Sequence, residues 1–358
     1  MKILFFCGAA EPGNDGVGDY SRQLCAELVR LGHAVQLVAL CDFHIHSVAT
    51  EKQKSGNVDI TAHRIPADVT KKDVFEITQN IVTSFEPDWI SLQFVPYSFN
   101  PKGLPFWLPT SLKKLKGKHQ WHFMMHELWL GIDKEASIPH QFIGKLQQYI
   151  VKTTISRIHP AVVTTQSQLY QLMLKCHSIE ASILPIFSNI PLTAIKEEQI
   201  NYLQIVLFGT IHVGAPLHDF FDDIVKMKQS FSKPIKVVFI GLNGPELNNV
   251  LPVLDHYRIV YEVMGKQSEE VISQVLVNSE FGISTTPYFQ TEKSGIFAAY
   301  KEHNLKSISV AREWTPRIAL QLHPHIIKYE KNNLNLTPTV GNAFNLNAIA
   351  NEFVKLIS

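Results

Sequence analysis

MKILFFCGAAEPGNDGVGDYSRQLCAELVRLGHAVQLVAL, residues 1–40, divides into four pieces. Residues 2–7 are an apolar run of strand length. Residues 8–18 hold Gly8, Gly13, Gly16 and Gly18 and read as a loop. Residues 19–31 repeat apolar side chains at helical spacing and stop at Gly32, and 34–40 are apolar again. Strand, loop, helix and strand make a β-α-β unit, whose strands pair in parallel.

The same alternation continues outward. Strands are expected at 58–64, 89–94, 121–126 and 161–165, with helices near 71–84, 104–116, 142–158 and 166–175. A proline-bounded stretch, 183–191, and a polar one, 196–199, interrupt it. A second series follows: strand 203–208, helix 217–229, strands 235–240 and 259–263, helix 269–277, then FGISTTPYFQTEKSGIFAAYKEHNLKSISV over 281–310. Within that last stretch 281–285 read as strand, 287–295 as loop and 296–303 as helix. Residues 346–357 close the chain as an amphipathic helix. The chain of 358 residues exceeds what one core usually sustains. The expected architecture is α/β: two doubly wound Rossmann-like domains, 1–190 and 200–345, with 346–358 packing across both.

Hydrophobic residues at 45% and charged residues at 18% exclude a disordered chain. The net charge of +1 supplies no general field for nucleic acid, so no nucleic-acid partner is expected. Four cysteines without CxxC spacing point to a reduced, cytoplasmic setting. The opening apolar run is too short for a secretory segment, and no window is long enough to span a bilayer.

Parallel sheets bind ligands at the carboxyl ends of their strands. At the first such edge, Gly16, Val17 and Gly18 lie just ahead of the expected helix, where backbone amides can face an anion or sugar. Gly16–Ser21 with Asp42 approaches a dinucleotide fingerprint, but a long loop separates the glycines from their strand, which argues against it. The exit Gln93-Phe-Val-Pro-Tyr97 suits either an acceptor pocket or a plain anchored loop. His126 and Glu127 end another strand; a histidine there can donate to a diphosphate or sugar hydroxyl, or be an ordinary structural one. His122 and His126 as a metal pair lack a third ligand. In the second half Lys293, Ser294, Gly295 and Ile296 open a helix, giving a cation, a hydroxyl and free amides. An N-cap serine beside a solvated lysine is the plain alternative. Residues 103–120 join Phe106, Trp107 and Leu108 to Lys113, Lys114, Lys116 and Lys118. They suit peripheral contact with the inner face of a membrane, or a core-packed helix with a solvated end.

GNDGVGDYSRQLCAELVRLGHAVQLVAL, MMHELW and LPIFSN resemble the opening loop and helix, the His-Glu strand end and the pre-hinge loop of GT-B glycosyltransferases, most closely family 4. The resemblance covers nearly the whole chain. It implies a GT-B fold with the two domains facing across a cleft, and transfer of a sugar from a nucleotide-activated donor to an acceptor hydroxyl, with retention. The acceptor would be a glycan, a lipid-linked sugar or another hydroxyl. It implies no cofactor beyond the nucleotide sugar, and no DxD-type cluster calls for a metal. It places Glu292 near the donor sugar, with His126, Glu292 and Lys293 catalytic. Gly16, Val17, Gly18, Glu127, Gly209, Thr210, His212, Ser294, Gly295, Ile296 and Tyr300 would bind substrate. The chain departs from the family where Tyr300 stands for its second glutamate and where Thr210 and Ala215 stand for two diphosphate-binding cations. That departure raises two alternatives: a non-catalytic nucleotide- or sugar-binding partner, and an epimerase or hydrolase on the same frame.

Overall fold

The computed structural model describes residues 1–197, 201–227, 231–320, 326–334, 336 and 345–358. The ends of the expected stretches 196–199 and 217–229 lie outside the described residues. Two compact units emerge: Met1–Leu184 with Leu346–Ser358, and Pro185–Asn345.

The first unit runs β1 (Lys2–Cys7), α1 (Gly16–Arg30), β2 (Ala34–Asp42), β3 (Ala49–Ser55), β4 (Val58–Pro66), α2 (Lys71–Phe85), β5 (Trp89–Phe94), α3 (Pro96–Phe99), α4 (Leu108–Lys114), β6 (Gln120–Met125), α5 (Ile138–Ile158), β7 (Val162–Thr165), α6 (Gln168–Lys175) and β8 (Ser182–Ile183). Its sheet has the order β3-β4-β2-β1-β5-β6-β7-β8. Every pair is parallel except β3 with β4. β1 and β5 are the central strands, buried along nearly their whole length, as a parallel strand covered on both faces must be. β3 is absent from the sequence expectation because it is a polar edge strand: Thr50, Glu51, Lys52 and Lys54 show no apolar alternation.

The second unit runs β9 (Leu203–Phe208), α7 (Leu217–Lys226), β10 (Ile235–Ile240), α8 (Leu247–His256), β11 (Val260–Gly265), α9 (Glu269–Val277), β12 (Phe281–Ser284), α10 (Gly295–Glu302), β13 (Lys306–Ser309) and β14 (Ile326–Lys328). Its sheet is parallel throughout, in the order β11-β10-β9-β12-β13-β14. The order reverses direction between β9 and β12, the position at which open α/β sheets hold ligands.

The last helix, α11 (Leu346–Ile357), belongs to the first unit. Phe353 is fully buried, its ring 5.6 Å from Phe5 and edge-on to His122 at 5.1 Å. Asn347 donates to Glu27 of α1 at 2.7 Å. The helix thus covers an apolar face of the first sheet. No helix among the described residues is long and apolar enough to cross a membrane.

Candidate functional site

In the second unit the turn after β9 and the start of α10 meet. Gly209 has φ +82°, and a Cβ there would stand 2.9 Å from Ile296 Cδ1, so a side chain would push the two apart. Gly209 N–H donates to Ile240 O at 2.9 Å, and Asn243 Nδ2 donates to Gly209 O at 2.8 Å. The turn is therefore fixed from two sides. The loop after β12 is tied to it through Thr285, whose hydroxyl lies 2.8 Å from both the backbone N and Nδ1 of His212, and 3.2 Å from Thr210 O. The hydroxyl has one proton, and Thr210 O is an acceptor that can only receive it. Given to Thr210 O, that proton leaves His212 Nδ1 to donate to the hydroxyl; given to His212 Nδ1, it leaves Nε2 to carry the ring proton.

Glu292, Lys293, Ser294, Gly295 and Ile296 are half-buried at this junction. Tyr288–Lys293 form a 3-10 turn, a tighter connection than a plain loop. Ser294 makes no side-chain cap to its own helix, and nothing lies within 4 Å of where a Gly295 Cβ would sit. The first turn of α10 therefore offers amides to open space. Burial pushes the Lys301 ammonium down, opposed by the charge of Glu292, and burial followed by Glu292 pushes the Tyr288 phenol up. Glu292 accordingly belongs to a local charge group with Lys301.

Tyr300 is not part of a ligand surface. Its side chain is fully buried, and its hydroxyl donates to Ile283 O at 2.7 Å while accepting from Phe208 N–H at 3.0 Å. The ring fills the space over Gly282, where a Cβ would meet it at 2.7 Å. Where the family would place a carboxylate, this chain has a pin between β9 and β12. The spacing that suggested a ligand contact could not distinguish the two, because both lie on the inward face of α10.

In the first unit α1 starts at Gly16, so Gly16, Val17 and Gly18 form its first turn instead of a loop. Asp15 caps that turn, its Oδ1 accepting from Gly18 N at 2.6 Å. A carboxylate thus already holds the position at which an external anion would have met the Gly18 amide. Gly18 is needed for a different reason, since a Cβ would lie 2.7 Å from Ala9 O. Asp42, the acid of the excluded dinucleotide reading, accepts from Arg64 Nε at 2.8 Å and Ala10 N at 3.1 Å. It anchors the glycine loop instead of reaching a ribose.

His126 is likewise occupied. Gln166 Nε2 donates to its Nδ1 at 2.8 Å, so its Nε2–H donates to Gln93 Oε1 at 2.8 Å. Gln93 then donates to Ser91 Oγ at 2.6 Å; Ser91 meets His122 Nδ1 at 2.7 Å, and His122 Nε2 meets Thr164 Oγ1 at 2.8 Å. Burial pushes the His126 imidazole down to about 3. With both nitrogens committed and the ring neutral, His126 knits β5, β6 and the end of β7 together. As it stands it cannot serve as the catalytic donor that its sequence position suggested. Glu127 follows it, half-buried.

Among the described residues one group, His218, Asp219 and Asp222, has metal-ligand proximity. Its acids are already engaged, Asp219 by Lys331 at 2.8 Å and Asp222 by the Tyr257 hydroxyl.

No family profile matches the sequence, and no curated protein matches it either. Solved structures do. The chain is similar to the lipopolysaccharide outer core galactosyltransferase WaaB in its apo form, with TM-score 0.54 and 13% identity over 100% of this chain and 89% of that one. The fold is GT-B. A glycosyltransferase from Rickettsia africae shares this GT-B frame with TM-score 0.57 and 12% identity over 99% of this chain and 88% of that one. So does the Anabaena protein HepE in complex with UDP, at 0.57 and 11% over 100% and 90%. In GT-B terms the second unit is the half whose sheet edge carries the β9 turn and the α10 start.

Proposed function

We propose that the chain is a glycosyltransferase of the family 4 type. In this reading it moves a sugar from a nucleotide-activated donor to an acceptor hydroxyl, with retention and without a metal. The observation that carries it is the junction in the second unit: Gly209 against Ile296 and His212 against Thr285 bring the β9 turn and the uncapped start of α10 to one place at the switch point of the sheet. Structures sharing the fold have been solved with UDP and with UDP-glucose, which supports a nucleotide sugar as donor. The α10 amides, Ser294 and Lys293 would meet the diphosphate, and Glu292 the sugar. The leaving diphosphate gains charge as the glycosidic bond breaks, so a cation held there favours the transition state over the ground state. The acceptor is a hydroxyl of a glycan or lipid-linked sugar, bound through the first unit.

Calorimetry with UDP, GDP, ADP and dTDP tests the reading; binding of at least one is expected, and a folded chain that binds none refutes it. With the donor identified, Lys293→Ala should reduce turnover about a hundredfold while weakening donor binding far less, a loss of roughly 2–4 kcal/mol in the transition state. Lys301 is no neutral control, because it shares the field of Glu292. Thr210 and Ala215, in place of cations, favour one second reading, a non-catalytic nucleotide-binding partner. Binding without donor hydrolysis or transfer would select it.

A further inference from the structure

We propose that the outer face of α5, continued by α4, docks on an anionic membrane surface. α5 has 21 residues. Ile138, Phe142, Lys145, Tyr149, Lys152 and Ser156 are all exposed. At the helical repeat they fall within about 40° of a single line along it. Ile138 is 82%, Phe142 64% and Tyr149 62% exposed, while Ile150, Val151 and Ile158 on the opposite side are buried. Three large apolar side chains in one solvent-facing row mark an interaction surface more often than a free one.

Charge selects the partner. Residues 101–126 and 136–179 contain no Asp or Glu, in a chain that has 32. α4 packs beside α5, with Arg157 donating to Thr110 at 2.7 Å, and adds exposed Lys113 and Lys114. The surface is therefore apolar and positive, with no acid on either helix. A nucleic acid would use the cations and leave Ile138 and Phe142 in water; an uncharged protein partner would use the apolar row and leave the lysines without counter-charge. An anionic bilayer takes both, with the apolar groups at the boundary of headgroups and acyl chains and the ammonium groups among the phosphates.

Of the run 103–120 this face keeps Lys113 and Lys114 but not its apolar residues Trp107 and Leu108. There Leu108 is buried core, and Trp107 is half-buried, donating to Phe99 O at 3.3 Å with Lys71 Nζ 4.7 Å from its ring. The inference goes beyond glycosyl transfer and uses none of the second unit's residues.

The test is sedimentation of the full chain with vesicles of phosphatidylcholine alone, or of phosphatidylcholine with about a third phosphatidylglycerol. The wild type should pellet with the anionic vesicles only. Lys145→Gln with Lys152→Gln should weaken binding about twenty-fivefold, roughly fivefold for each lysine. Phe142→Ser with Tyr149→Ser should also release the chain. Lys54→Gln with Lys72→Gln, on β3 and α2, should change nothing. All six positions are exposed, and circular dichroism checks that each variant is folded. The proposal is overturned by equal binding to neutral vesicles, by wild-type binding in either α5 variant, or by equal loss in the control pair. Binding to heparin without binding to either vesicle also overturns it, in favour of a soluble polyanion.

Discussion

Acidification from about pH 7.5 to about pH 5 should destabilise the first unit by about 2 kcal/mol for His126 alone. The ring is 5% exposed, and burial holds it at about 3 against an ordinary 6.5. Since the folded value lies below the unfolded one, the unfolded chain takes up the proton first as pH falls. The stabilising contribution of neutral His126 is complete above about pH 6.5 and is lost progressively toward the folded value near 3. At about pH 5 an unfolded imidazole is nearly all protonated, and RT ln(1 + 10^1.5) comes to about 2 kcal/mol. His122, also held at about 3 by burial and then by the neighbouring His126 charge, adds a similar amount to the wild type. Urea unfolding followed by tryptophan fluorescence suits the measurement, because Trp89, Trp107, Trp121 and Trp129 lie in the first unit and only Trp314 in the second. His126→Gln cannot titrate. It should be less stable at both pH values, yet its loss on acidification should be about 2 kcal/mol smaller than that of the wild type. Equal acid sensitivity in the two proteins would refute the buried, neutral assignment and return His126 to the solvent-facing role its sequence position suggested.

Tyr300→Phe should cost about 2 kcal/mol, because it leaves Phe208 N–H and Ile283 O without their partner, while nucleoside diphosphate affinity stays near that of the wild type. Thermal unfolding and calorimetry together check it; an unchanged melting temperature with lost binding would restore Tyr300 to the ligand surface. Gly144→Ala in α5 should destabilise the first unit by at least about 2 kcal/mol, since an ordinary Cβ would stand 2.0 Å from the backbone oxygen of Leu130. A urea midpoint within error of the wild type would show that the loop before α5 yields instead.

The sequence by itself determined the α/β class, the repeat of strand and helix in two halves, and most central elements. β1, β5, β6, β9 and β10 are mostly apolar runs of strand length, because a strand covered on both faces is buried along most of its length. Elements with one solvated side, such as β3, or interrupted by proline, such as α8 with Pro252, carried no comparable signal. The meeting of residues 209–212 with 285 and 296 was foreshadowed by their separate positions at strand ends. What only the tertiary structure decided was which polar side chains remained open to a ligand. Asp15 caps Gly18, Gln93 and Gln166 take both nitrogens of His126, and Tyr300 turns inward to pin two strands. Asp15 is only three residues from Gly18, but the partners of His126 lie 33 and 40 residues away and those of Tyr300 17 and 92, and a buried polar group must be satisfied by whatever the fold brings near it. Residue type and spacing place such a group at the right edge of the sheet. Its partners, supplied by other strands, decide whether it faces a substrate or holds the frame.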